Sequence, residues 1–197
     1  MVREIVTYGD PVLREKCRLV GPATPEVEAL AADMVETMHA AHGVGLAAPQ
    51  VGVPLQLAVV DVSHDPACVS FLRIDGAEAS LADCMPLVFV NPVLEFAGER
   101  LSESEGCLSI PEVRGQVVRP TAIKAKLQLL DGRTIVLETD GLLARALQHE
   151  TDHLHGILFT DRVSAATKVR LRGVLKRMLS EPGPKRYLPK PAAKDEE

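Results

Sequence analysis

The chain has 197 residues, of which 46% are hydrophobic and 25% charged, and a formal net charge of −5 at neutral pH. That length suits one domain with a sizeable core and at most a tail, and the hydrophobic share excludes a wholly disordered chain. The acidic balance argues against a whole-protein nucleic-acid binder, and no run approaches the ~20 apolar residues needed to cross a bilayer.

In chain order, Met1-Val2-Arg3-Glu4-Ile5-Val6 has neither an apolar signal core nor a small-residue cleavage site, which points to the cytoplasm. The cysteines Cys17, Cys68, Cys84 and Cys107 are scattered, with no Cys-x-x-Cys pair, and read as reduced thiols. Thr24-Pro25-Glu26 is a helix start, and Val27, Leu30, Ala31, Met34, Val35 and Met38 recur on one helical face that ends near Gly43. Gly43-Val44-Gly45-Leu46-Ala47-Ala48-Pro49-Gln50 follows as a glycine-rich entry into extended chain, and 55–62 reads as a strand. From His64 to Met85, Asp-Pro, Asp-Gly and mixed polar residues predict a long surface loop. Residues 87–90 and 93–96 are strand-like around Asn91-Pro92, and 123–130 and 134–137 form a hairpin across Asp131-Gly132.

Asp140 is the expected cap of a helix through Leu143, Ala146, Leu147, Glu150 and Leu154 that ends near Gly156. An amphipathic helix over 165–179 follows, with Val169, Leu171, Val174, Leu175 and Met178 as its apolar residues. Between Ala165 and Lys190, eight basic residues face one acid, a local charge of +7 that leaves −12 on the remainder. Helices separated from antiparallel strands predict an α+β fold. One domain is expected over 1–180, with a disordered tail over 181–197.

His149 and His153 are four residues apart, so a helix places both imidazoles on one face, able to share one divalent ion. Glu150 lies beside the first histidine, where it can serve a water as a proton acceptor without being a ligand. Such a segment also arises by chance on solvated helices, so a third ligand is the test. In one metalloprotease pattern a third histidine follows Gly156, but Phe159 stands in its place, and the downstream acids Glu181, Glu196 and Glu197 lie near or within the tail. Upstream, Glu105-Gly106-Cys107-Leu108-Ser109 offers a thiolate that would complete a three-ligand site, although a lone cysteine is more often a small buried residue. A non-catalytic metal-binding module is a further alternative, with Glu150 incidental.

Read together, Gly43-Val44-Gly45-Leu46-Ala47-Ala48-Pro49-Gln50, Glu105-Gly106-Cys107-Leu108-Ser109 and Gln148-His149-Glu150-Thr151-Asp152-His153 resemble, in order and spacing, the peptide deformylase family. The resemblance extends from Tyr8-Gly9-Asp10-Pro11-Val12-Leu13-Arg14 to about Asp161. It implies a cytoplasmic metallo-amidohydrolase with antiparallel sheets packed around a central metal-binding helix. Such an enzyme removes the formyl group from the N-terminal formyl-methionine of new polypeptides and releases formate.

By the same resemblance Cys107, His149 and His153 hold the metal, with water in the fourth position and Glu150 as base and then acid. Gln50 and the Leu108 N–H are the donors to the oxyanion. The resemblance also implies one ferrous ion per chain, with Zn²⁺, Ni²⁺ or Co²⁺ able to substitute. Gly43, Val44 and Gly45, with Glu105 and Gly106, flank a substrate that docks as an added strand, where glycines let another backbone approach. Val44 and Leu142 are candidates for the methionine pocket, with Arg145 one turn on at its rim or in solvent. Asp152 is expected to pair with Arg119 and brace the metal helix. Nascent formyl-methionyl chains are the expected partners, with ribosome contact through the basic C-terminal helix and no membrane or DNA contact.

Overall fold

The computed structural model describes residues 1–183 and 185–189. Strand β1 (Ile5–Val6) and a 3-10 turn at Pro11–Arg14 precede helix α1 (Pro25–Ala40). The Thr24 side chain makes no cap hydrogen bond, so Pro25 in the first turn, with Glu26 and Glu28 near the positive end of the helix dipole, carries the start. Strands β2 (Gly45–Ala47) and β3 (Leu57–Val60) flank a second 3-10 turn, Ala48–Val51, which contains Gln50.

The segment expected as a surface loop folds differently. It contains β4 (Leu72–Ile74), β5 (Ala77–Glu78) and a single helical turn, α2 (Leu81–Cys84). Asp75-Gly76 joins β4 to β5 as a two-residue hairpin turn with both φ angles positive, +51° and +83°. Strands β6 (Leu87–Cys107) and β7 (Ile110–Gln128) form one long hairpin, and β8 (Thr134–Asp140) returns after Asp131-Gly132. The two strand-like pieces around Asn91-Pro92 belong to this single β6, with a register shift between Val90 and Val93. Asn91 takes a φ of +50° there, and its side-chain amide donates to Val20 O (2.7 Å) and Gln128 Oε1 (2.9 Å).

Helices α3 (Gly141–Leu154), α4 (Phe159–Arg162) and α5 (Ala165–Ser180) follow, and strand β9 (Arg186–Tyr187) is the last described element. Two antiparallel sheets result, β1-β9 and the seven-stranded β2-β3-β6-β7-β8-β4-β5. The α+β class and the C-terminal helix are as expected.

Packing follows from the pattern of apolar residues. All four residues of β3 are buried because Leu57 and Val59 join the cluster under α1, while Ala58 and Val60 join the cluster under α3. Strand β7 alternates instead, with Ile123, Ala125 and Leu127 in the α3 cluster and Lys124 and Lys126 exposed. Helix α3 therefore lies against the sheet with Leu143, Ala144, Ala146, Leu147 and Leu154 inward, at the centre of the molecule. A third cluster sets Val6, Ile110, Phe159 and Val163 beneath α5, which contributes Leu171, Val174, Leu175 and Met178; Val169 is 74% exposed and lies off that face.

Two sequence expectations change for non-local reasons. Strand β4 pairs with β8 (Leu72↔Thr139, Ile74↔Leu137), so residues 72–78 extend the sheet. Asp140 holds the N-cap position of α3 as expected, but its side chain makes no capping bond: the carboxylate accepts from Ser70 N (2.8 Å), Phe71 N (3.3 Å) and the Ser70 hydroxyl, tying the inserted segment down. The next residue, Gly141, has a φ of +57°, and any side chain there would collide with the carbonyl of Cys68.

The disordered tail expected from 181 does not hold at 185–189. Ile5↔Tyr187 and Val6↔Arg186 pair, Thr7 N donates to Lys185 O (2.7 Å), and the Lys185 ammonium donates to Glu181 O (2.6 Å) at the end of α5. Residues 184 and 190–197, also expected in that tail, lie outside the described residues. Among the described residues, no helix is long and apolar enough to cross a membrane.

Candidate active site and metal centre

One turn of α3 separates His149 from His153, and their rings meet edge to face with centroids 5.0 Å apart. Cys107 ends β6 immediately before the two-residue turn Leu108-Ser109, and that turn brings its sulfur to 3.3 Å from His153 Nε2. One donor atom each from Cys107, His149 and His153 lie within 4.8 Å of one another, the only such three-residue cluster of metal-binding groups among the described residues. Thiolate and imidazole donors at this spacing fit a single tetrahedrally disposed ion with one position left for water. His153 Nδ1 is buried without a hydrogen-bond partner, and burial pushes that imidazole well down.

Glu105 aligns the first histidine. Its carboxylate lies 3.2 Å from His149 Nδ1, which turns Nε2 of that ring away toward the centre. The segment was expected to flank substrate. Its backbone does border the cleft, but the Glu105 side chain points inward and is 6% exposed. Arg119 grips it through two bonds (2.6 and 2.9 Å) and Arg145 through a third (2.6 Å). Burial pushes the Glu105 carboxyl up, but the His149 and Arg119 hydrogen bonds outweigh it and hold it at about 2. Arg119 Nη1 also donates to Asp152 Oδ2 (2.9 Å), and Arg162 closes on the same carboxylate. Phe159, where one protease pattern has a histidine, is buried and stacks on the His149 ring at 6.4 Å between centroids.

Glu150 is 3% exposed, and its Oε2 has no partner in the protein. Burial pushes its carboxyl up to about 7, against the opposing charges of His149 and Arg119. The residue facing it is Gly45, where a methyl group would strike the carboxylate. Absence of a side chain at 45 therefore makes room for Glu150, a use of glycine the sequence reading assigned to substrate approach. Gln50 is oriented by Ala47 N, which donates to its Oε1 (2.8 Å); the Nε2 group then faces Ser109 Oγ (3.3 Å) and Cys107 Sγ (3.5 Å).

These groups open on a cleft of about 550 Å³. Gly43, Val44 and Gly45 form one side and Glu105, Gly106, Cys107 and Leu108 the other, with Leu142, His149 and Glu150 between them. Val44 and Leu142 are partly buried against the α3 cluster and line the cleft. Arg145 does not reach into solvent: besides Glu105 it holds Val117 O (3.2 Å) and Leu101 O (3.2 Å). None of residues 64–85 lines this cleft. Arg162 and Tyr187 were not foreseen; neither lies in a motif, and only their contacts across the fold reveal them.

The comparisons agree with this geometry. The model of the family described as polypeptide deformylase matches residues 2–169. Peptide deformylase from Opitutus terrae is 43% identical over 176 residues, covering 87% of this chain and 90% of that protein. Peptide deformylase 1 from Clostridium acetobutylicum is 44% identical over 164 residues, covering 83% and 95%. Among solved structures, the Thermotoga maritima peptide deformylase has a TM-score of 0.69 at 36% identity, covering 83% of this chain and 99% of that one. The Synechococcus elongatus peptide deformylase in complex with actinonin has a TM-score of 0.73 at 37% identity, covering 88% and 84%. With its cysteine and two histidines gathered for one metal ion, the chain belongs to the polypeptide deformylase family, metallo-hydrolases that remove the N-terminal formyl group from nascent polypeptides.

Proposed function

We propose that this chain carries out its family's reaction with Cys107, His149 and His153 as the metal ligands, Glu150 as the proton carrier, and Gln50 with the Leu108 N–H as the oxyanion donors. The observation that carries the assignment is the convergence of the three donor atoms beside a buried carboxylate with one free oxygen. When bound, a divalent ion supplies Lewis acidity there and lowers the pKa of water towards ~7. Glu150 takes a proton from the attacking water and returns it to the leaving amine. The Gln50 side-chain amide and Leu108 N–H donate to the formyl oxygen as it becomes negative. Val44–Gly45 and Glu105–Gly106 receive the peptide backbone as an added strand, and the methionine side chain enters between Val44 and Leu142. Asp152 and Arg119 brace α3 from behind.

The test is formate release from formyl-Met-Ala-Ser, set against cleavage of unformylated peptides. Glu150→Ala should keep its metal and lose roughly 10²–10⁴ in kcat; retention of full activity overturns the assignment. We take the ion to be ferrous iron. Protein purified anaerobically should contain iron, and a zinc-loaded, fully active preparation would refute that. In the cytoplasm the nascent chains are met at the ribosome, and the exposed Lys168, Arg170, Arg172, Lys176 and Arg177 of α5 form the docking face. Because the apolar face of α5 covers core residues, charge reversal at Lys168, Arg172 and Lys176 is a cleaner test than truncation. It should weaken ribosome co-sedimentation and spare activity on the tripeptide; unchanged co-sedimentation removes the docking idea.

A further inference from the structure

The turn that carries Cys107 and Leu108 is tied to both ends of the described chain. Tyr8 N donates to Ser109 O (2.8 Å), and the Tyr187 hydroxyl donates to Leu108 O (3.1 Å). Ser109 Oγ is held in turn by Gln50 Nε2 at 3.3 Å. Both carbonyls of the two-residue turn therefore have fixed partners. Among the described residues the Leu108 N–H has none, so the turn presents a donor that is free for a ligand. Tyr187 is half-buried at the edge of the cleft, and its backbone is locked by the Ile5↔Tyr187 pairing of β1 and β9.

We infer that Tyr187 is a positioning residue for the reaction: through its hydrogen bond to Leu108 O it fixes the turn so that the Leu108 N–H points at the developing oxyanion. This rests on the proposed role of Leu108 and adds the C-terminal strand to the machinery. A donor stabilises a transition state most when it need not reorient as charge develops. A turn lacking one of its two carbonyl anchors samples other peptide orientations, which weakens the donor while leaving the peptide-binding strands intact. The signature is thus a fall in kcat with an unchanged KM.

The test is Tyr187→Phe, which keeps the ring and its packing and removes only the hydroxyl. With formyl-Met-Ala-Ser, kcat should drop roughly 3–10-fold, the scale of one neutral hydrogen bond. KM and metal per chain should match the parent protein, and Tm should fall by no more than about 2–4 °C, the scale of one lost hydrogen bond. Independently of turnover, amide exchange at Leu108 and Ser109 should quicken while that of α3 stays the same. An unchanged kcat, an effect confined to KM, or unchanged exchange at the turn overturns the inference, as does a kcat loss explained by lost metal or a larger fall in Tm. If the parent protein releases no formate, the reading of the whole site fails, and this inference with it.

Discussion

On the helix side of the cleft, His149 and His153 owe their spacing to one turn of α3 and their setting to charge. Glu105, Arg119, Asp152, Arg145 and Arg162 form a continuous ionic network behind them. On the hairpin side, Cys107, Leu108 and Ser109 occupy a turn whose contacts with Gln50, Tyr8 and Tyr187 are neutral hydrogen bonds. The histidine side relies on buried charges whose separation is costly, whereas the turn of Cys107 relies on orientation. Damage to the first should therefore appear mainly as lost stability, and damage to the second mainly as lost rate.

After Glu150→Ala, the largest effect is expected at Gln50, beside the Cys107 turn. Gln50→Ala removes the proposed oxyanion donor and should lower kcat by roughly 10²–10³. Its stability cost should be about 1–2 kcal/mol, because the buried Ala47 N–H loses its acceptor; a fall in denaturation midpoint as large as that of Arg119→Met would erase the distinction. In the ionic network, Arg119→Met should destabilise the protein by about 3 kcal/mol in denaturant titration. That is the low end for a broken buried pair, because Arg145 still holds Glu105 and Arg162 still holds Asp152.

The pH dependence has a definite sign. Glu105 is held below its ordinary value of 4.5, at about 2, so its contribution is present above 4.5 and is lost as pH falls toward 2. In Arg119→Met the contribution should be smaller, and its loss, which still sets in near 4.5, should be complete at a higher pH. Gly45→Ala joins the two sides, since its methyl group must displace the Glu150 carboxylate; kcat should fall roughly tenfold while metal content is kept. Smallest is Asp140→Ala, which frees residues 70–71, outside the cleft lining. It should cost about 1 kcal/mol of stability and leave kcat unchanged, and a rate effect would mean that the inserted segment reaches the site after all.

What could be read from the chain follows the range of the interactions. Helices α1 and α3, strand β3 and the β7–β8 hairpin announce themselves through local periodicity and turn residues, and His149 and His153 come with α3. Cys107 and Gln50 were found only because three short motifs recur together, since nothing local tells a ligating cysteine from a buried one. Strand β4 is three residues long and exists because β8 offers it an edge. The inward turn of Glu105 depends on Arg119, fourteen positions later, and on Arg145 from another element. Strand β9 has two residues and gains its order from β1, so composition alone made it look like tail.

The β1–β9 ribbon also bears on how the molecule assembles. Joining segments from opposite ends of the described chain carries nearly the largest loop-closure entropy this fold can incur, and contacts of that range form slowly. The Cys107 turn gains its Tyr187 hydrogen bond only after that closure, whereas α3 and the long hairpin can form from nearer contacts. Folding kinetics should accordingly show helix and sheet signals developing first, with a competent cleft emerging in the slowest phase.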